Sequence, residues 1–260
     1  MAAPEITLTH LAGPPDRPVV LVGPSIGTRV QRLWAATAAH LPDHRVIGWD
    51  LPGHGRSAPT EEPFSTAELA AQVLRAVDCA VGGSNRLHYA GDSFGGCVGL
   101  QLALDHPARF ATMTILCSGA KIATADVWRE RIALVHREGM RPIQQASPQR
   151  WFGTRIAEQP TQDSRAVVEE VADVDAFSYS LACAALAEFD VRDRLSDIQI
   201  PLLAVAGADD LVTTPDQHRG LAAQTPGARV EVLDGVAHLA PLEDPLTTAV
   251  LLEKHFREGT

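Results

Sequence analysis

The stretch YAGDSFGG, Tyr89 to Gly96, sets one serine, Ser93, two residues after Gly91 and just ahead of Gly95 and Gly96. Before it, NRLHYA (85–90) reads as a strand; after it, GGCVGLQLALDHP reads as a helix that stops ahead of Pro107, as chains leading into proline do. Glycine and serine are common in plain turns. A G-x-S-x-G serine at a strand-to-helix junction is instead the setting of a nucleophile elbow. There the serine sits in a strained turn of positive φ, and strand and helix run so close that Cβ atoms at 91 and 95 would collide.

A serine hydroxyl is a poor nucleophile until a base takes its proton, and the base needs an acid to fix its tautomer. The elbow therefore predicts two more residues on later loops. After PLLAVAG comes ADDLVTTP, offering Asp209 and Asp210; after RVEVLDG comes VAHLAPLEDP, offering His238. Other histidines have structural readings: His40, His44 and His106 flank helix ends, His255 is near the C-terminus, and His54 lies in a glycine loop. The oxyanion of a tetrahedral intermediate needs donors in place beforehand. The Phe94 N–H, directly after the serine, is the expected first donor, and Ile26, in the PSIGT loop after VVLVG, the expected second, the alternative being that Pro24 to Thr28 is an ordinary glycine turn.

Outward from the elbow, the short apolar runs EITLTH, RPVVLVG, HRVIGWD, TMTILCS, IPLLAVAG and RVEVLDG recur between stretches of helical period. In AELAAQVLRAVDCAV, for example, Leu69, Val73, Ala76 and Val77 share a face. This alternation predicts an α/β fold with a mostly parallel sheet covered on both faces, the first run lying at an antiparallel edge. The pattern breaks between about Lys121 and Asp190, where ADVWRERIALVHREGM, SPQRWFG and DAFSYSLACAALAEF read as helices laid over one end of the sheet.

Bulk properties narrow the function. The 260 residues suit one core with an insertion better than two domains. A formal charge of −10, with lysine only at 121 and 254, disfavours nucleic acid as a partner. No run approaches the ~20 apolar residues of a membrane span, and MAAPEITLTH lacks the pattern of a signal peptide, so the expectation is a soluble cytoplasmic protein. Cys79, Cys97, Cys117 and Cys183 are too scattered for a metal site and read as reduced thiols. GHGRSA (53–58) matches a dinucleotide fingerprint, but Pro59 and Pro63 frame a loop where that motif must open a helix.

Taken together, the chain resembles the α/β-hydrolases, and within them the 3-oxoadipate enol-lactonases (β-ketoadipate enol-lactone hydrolases), over nearly its whole length. The resemblance rests on PSIGTRVQRLW, GHGRS, GDSFGG and CSGAKI, on VWRERIALVHREGM and QRWF in the insertion, and on CAALAEFDVRDRL leaving it. The chain departs from the pattern at Pro24, at Pro52 within DLPGHG, where an arginine is expected nearby, and at Asp92 and Phe94. It implies a mostly parallel eight-stranded sheet, a core of residues 1–120 and 191–260, and a helical cap over 121–190. In relatives of this pattern the third residue beyond the glycine ending the strand, here Gly207, turns to the site, which selects Asp210 and leaves Asp209 to turn chemistry.

The implied substrate is a small enol-lactone bearing a carboxylate, opened by Ser93, His238 and Asp210 with no metal or cofactor. Arg131, sharing a helix face with Trp128, Ile132 and Val135, is a candidate to hold that carboxylate, as is Arg150; the alternative is that Arg131 snorkels at the core's edge. Trp34, Trp128 and Trp151 are candidates for the apolar wall, with a core role as the alternative for each. A general carboxylesterase, another lactonase or a carbon–carbon bond hydrolase shares the catalytic features. A ligand-binding receptor of the same fold is the non-enzymatic rival.

Overall fold

The computed structural model describes residues 4–83 and 86–259; Asn85, the first residue of the expected 85–90 run, lies outside them. Seven strands form one sheet: β1 (Leu8–Ala12), β2 (Val19–Gly23), β3 (Arg45–Trp49), β4 (Leu87–Asp92), β5 (Phe110–Leu116), β6 (Leu202–Gly207) and β7 (Arg229–Leu233). Their order is β1-β3-β2-β4-β5-β6-β7, with β1 antiparallel to β3 and every other pair parallel. The expected eighth strand is thus absent among the described residues. The runs read from the sequence number seven, and the eighth came from the resemblance. Neighbouring side chains on a strand point to opposite faces, so the complete burial of β4, β5 and β6 means that both faces of the sheet centre are covered.

The covering helices are α1 (Val30–Ala38), α2 (Thr66–Val81) and α3 (Phe94–Asp105) early in the chain. After the insertion come α9 (Pro215–Gln224), the short α10 (Ala240–Glu243) and α11 (Pro245–Phe256). α1 packs with α10 and α11, and α2 with α3. Helix α2 starts at a capping box between Ser65 and Glu68 and buries Leu69, Val73 and Val77, the face expected from its period. No helix among the described residues is long and apolar enough to cross a membrane.

Between β5 and β6 the chain forms α4 (Ala125–Glu138), α5 (Arg141–Trp151), α6 (Thr154–Glu158), α7 (Gln162–Glu169) and α8 (Ala176–Glu188). The sequence reading found α4, the end of α5 and α8, but not α6 and α7. Those two are short and polar, α7 being capped by Thr161 and burying only Ser164 and Val167, so their period carries little signal. Ion pairs from Arg29 to Asp173 (2.6 Å) and from Arg32 to Asp163 (2.8 Å) and Glu170 (3.1 Å) tie this helical layer to α1.

Candidate active site

Ser93 joins β4 to α3 with φ 51° and ψ −112°, a left-handed conformation that a non-glycine residue adopts only where its surroundings enforce it. Three contacts do so. The Ser93 amide donates to Leu116 O at 2.8 Å, its carbonyl accepts from Ser118 Oγ at 2.6 Å, and the Gly96 amide donates back to that carbonyl at 2.9 Å. The glycines let the backbones meet. A Cβ on Gly95 would lie 2.6 Å from the Gly23 carbonyl carbon, one on Gly91 would fall against the Gly95 carbonyl, and one on Gly96 against the Ser118 side chain.

His238 and Asp210 arrive on the loops after β7 and β6. Ser93 Oγ and His238 Nε2 are 2.9 Å apart, and His238 Nδ1 and Asp210 Oδ2 are 2.8 Å apart. With Nδ1–H donating to the carboxylate, Nε2 is left bare to accept the serine proton. All three side chains are buried. Asp210 also accepts from Val212 N (2.7 Å), Thr213 N (3.1 Å) and Thr213 Oγ1 (2.7 Å). Burial pushes its carboxyl up, but His238 and the Thr213 hydrogen bonds outweigh this and hold it below the usual carboxylate range. Asp209 faces elsewhere, accepting from Thr154 N at 2.9 Å and Thr154 Oγ1 at 3.0 Å.

Ser93 and His238 open into a cavity of about 310 Å³. Of the sequence candidates, Ile26, Trp128, Arg131, Arg150 and Trp151 line it. Among the described residues the amides of Ile26 and Phe94 have no hydrogen-bond acceptor, so both remain available as donors beside the serine. Arg131 stacks on Trp128, its guanidinium carbon 4.9 Å from the ring centroid, and has no carboxylate ion partner among the described residues. Trp34 is not in the wall. It is wholly buried, and its Nε1–H donates to Gly23 O at 2.9 Å, which makes it a core residue beneath the loop that carries Ile26.

His54 also stays out of the cavity. Its Nδ1 is 2.9 Å from Pro52 O, its ring stacks on Tyr179, and burial pulls its pKa down to about 4. The surrounding GHGRS stretch forms turns around Asp50, whose carboxylate accepts from Val30 N (2.8 Å) and Arg56 N (3.0 Å), and no helix begins until Thr66. Sequence reasoning missed Ser118 and Thr213, which brace the serine and the acid. CSGAKI and ADDLVTTP contain them, but nothing in a one-dimensional pattern says that Ser118 lies under residue 93, 25 positions away.

Comparisons with known proteins identify the fold family. A curated relative, 3-oxoadipate enol-lactonase 2 of Acinetobacter baylyi, is 32% identical over 247 residues, covering 94% of this chain and 91% of its own. The crystal structure of the enol-lactonase from Burkholderia xenovorans LB400 superposes with a TM-score of 0.91 at 27% identity, covering 98% of this chain and 99% of its own. Est816, described as an N-acyl homoserine lactone degrading enzyme, superposes with a TM-score of 0.81 at 28% identity, covering 96% of each chain. Residues 18–245 match the family described as the alpha/beta hydrolase fold. With a serine on a glycine-lined strand-to-helix turn, and a histidine and an aspartate meeting it from later loops, the chain belongs to the alpha/beta hydrolase family.

Proposed function

We propose that the protein is a serine hydrolase that opens a small, carboxylate-bearing enol-lactone of the 3-oxoadipate enol-lactone type. The observation that carries this reading is the unbroken line Asp210–His238–Ser93 at the floor of a cavity whose wall holds Arg131. The lactonases among its relatives support the substrate class.

In this reading His238 Nε2 takes the Ser93 proton while Oγ bonds to the lactone carbonyl carbon. The Ile26 and Phe94 amides hold the oxyanion. The ring carbon–oxygen bond then breaks, His238 returns the proton to the departing enol oxygen, and the enol tautomerises to a ketone, which cannot re-close. Water, deprotonated by His238, attacks the acyl-enzyme and releases the keto acid with Ser93 restored. Arg131 pairs with the substrate carboxylate, which a chain of charge −10 would otherwise repel. We place the activity in the cytoplasm, where the four unpaired cysteines stay reduced.

The test is turnover of 3-oxoadipate enol-lactone, followed by its ultraviolet absorbance, beside a simple aryl ester, with Ser93→Ala as the blank. Lactone turnover exceeding that of the ester is expected. Ester turnover without lactone turnover makes the protein a general carboxylesterase, and a fluorophosphonate that leaves Ser93 unmodified makes it a binding protein.

A further inference from the structure

Glu243 ends the short helix α10, and its side chain is 4% exposed, so protein groups alone must satisfy its carboxyl. Three backbone amides do. Oε1 accepts from Ala237 N (2.9 Å) and Leu239 N (3.2 Å), the residues on either side of His238, and Oε2 accepts from Gly153 N (2.7 Å), just past the cavity residue Trp151. The amide of His238 donates to Trp151 O at 3.1 Å. Each N–H from 237 to 239 is therefore committed either to Glu243 or to the segment Glu243 also grips.

We infer that Glu243 is a positioning residue: one buried carboxylate that holds the base loop and the cavity-wall segment 151–153 in register.

Further contacts close the same seam. Arg155 donates to Glu243 O at 2.7 Å and lies 3.5 Å from Asp244, while Thr154 bonds Asp209, the neighbour of the acid. Gly153 packs against the start of the base loop with no room for a side chain, since a Cβ there would lie 2.5 Å from Gly235 O. Only an ionised carboxylate offers lone pairs to three donors at once with no hydrogen in the way. Burial pushes its pKa up to about 7, against the pull of the three amides and His238. A group so costly to bury marks a position where geometry outweighs stability. The consequence is that the wall meeting the substrate and the imidazole meeting the serine move together.

The inference rests on the proposed hydrolase reading for its kinetics but not for its structure, and the test separates the two. Glu243→Gln keeps the shape and removes one of the two acceptor oxygens, because the amide nitrogen cannot accept; Glu243→Ala removes both, and with them all three hydrogen bonds. In proton spectra the Nδ1 proton that His238 shares with Asp210 resonates downfield of the amides, and Glu243→Gln should shift it. The kcat for an aryl ester should fall about 10- to 100-fold with a smaller change in KM, the penalty of a displaced base. A folded Glu243→Gln protein with the wild-type resonance and kcat overturns the inference. Should neither variant fold, amide exchange of the wild type decides, with slow exchange at Gly153, Ala237 and Leu239 expected and loop-like rates at 237 and 239 overturning it. A wild type that hydrolyses neither ester nor lactone removes the hydrolase reading and leaves the resonance and exchange results to judge Glu243.

Discussion

The indole N–H of Trp34 donates to the carbonyl of Gly23 at 2.9 Å, and both residues are buried, so a side chain on α1 fixes the last residue of β2 just where the loop toward Ile26 departs. Trp34→Phe keeps a ring and loses the donor. An unsatisfied buried acceptor costs about 1–3 kcal/mol, so the urea midpoint should drop by that free energy over m. The kcat should fall as well, because the loop that carries Ile26 into the cavity starts at Gly23. An unchanged midpoint would mean that the hydrogen bond contributes nothing net.

Glycine substitutions should split by location. Gly95→Ala drives a methyl against the Gly23 backbone, which cannot rotate away, and the expected loss is about 3 kcal/mol or more. Gly220→Ala, in the interior of α9 with nothing within 4 Å of the new methyl, should stabilise by up to about 1 kcal/mol. Denaturant melts of the two proteins check both signs.

Asp92, beside Ser93, is fully buried, and neither carboxyl oxygen has a hydrogen-bond partner. Burial first, then the charges of Asp210 and Glu243, hold its pKa well above the carboxylate range, so the native state keeps a proton that the unfolded chain releases near pH ~4. With more protons bound in the native state, stability falls as pH rises above about 4, by at most about 1.4 kcal/mol per unit, until the raised native value is passed. Asp92→Asn should abolish that slope. The check is the difference in unfolding free energy between wild type and variant from pH 4 to 8, which should grow with pH; a constant difference would show that Asp92 is ionised in the fold.

Arg131→Met keeps an unbranched side chain beside Trp128 and removes the guanidinium that lies over its ring. A charge-assisted hydrogen bond is worth about 1.5–3 kcal/mol, so KM for the carboxylate-bearing lactone should rise roughly 10- to 100-fold. An uncharged aryl ester should keep its KM within about threefold, since it has no carboxylate for the guanidinium to pair with. Equal effects on the two substrates would return Arg131 to a packing role.

The elbow was legible because its requirements are local. Gly91 admits no side chain because the Gly95 backbone, four letters on, lies against it, whereas Gly95 is pinched by Gly23 of β2, a contact that only the fold creates. The strand pattern and the buried face of α2 were legible for a similar reason, since periodicity is a property of one segment. The order of loops along the chain offered His238 with either Asp209 or Asp210, and the choice of Asp210 came from the resemblance. Contacts between segments far apart in sequence were decided by the tertiary structure alone. It put Trp34 in the core, left the sheet with seven strands among the described residues, set Ser118 beneath Ser93, and joined Glu243 to Gly153 across 90 positions. Burial and hydrogen-bond partners depend on which surfaces meet after folding, and no repeat or spacing along the chain records that meeting.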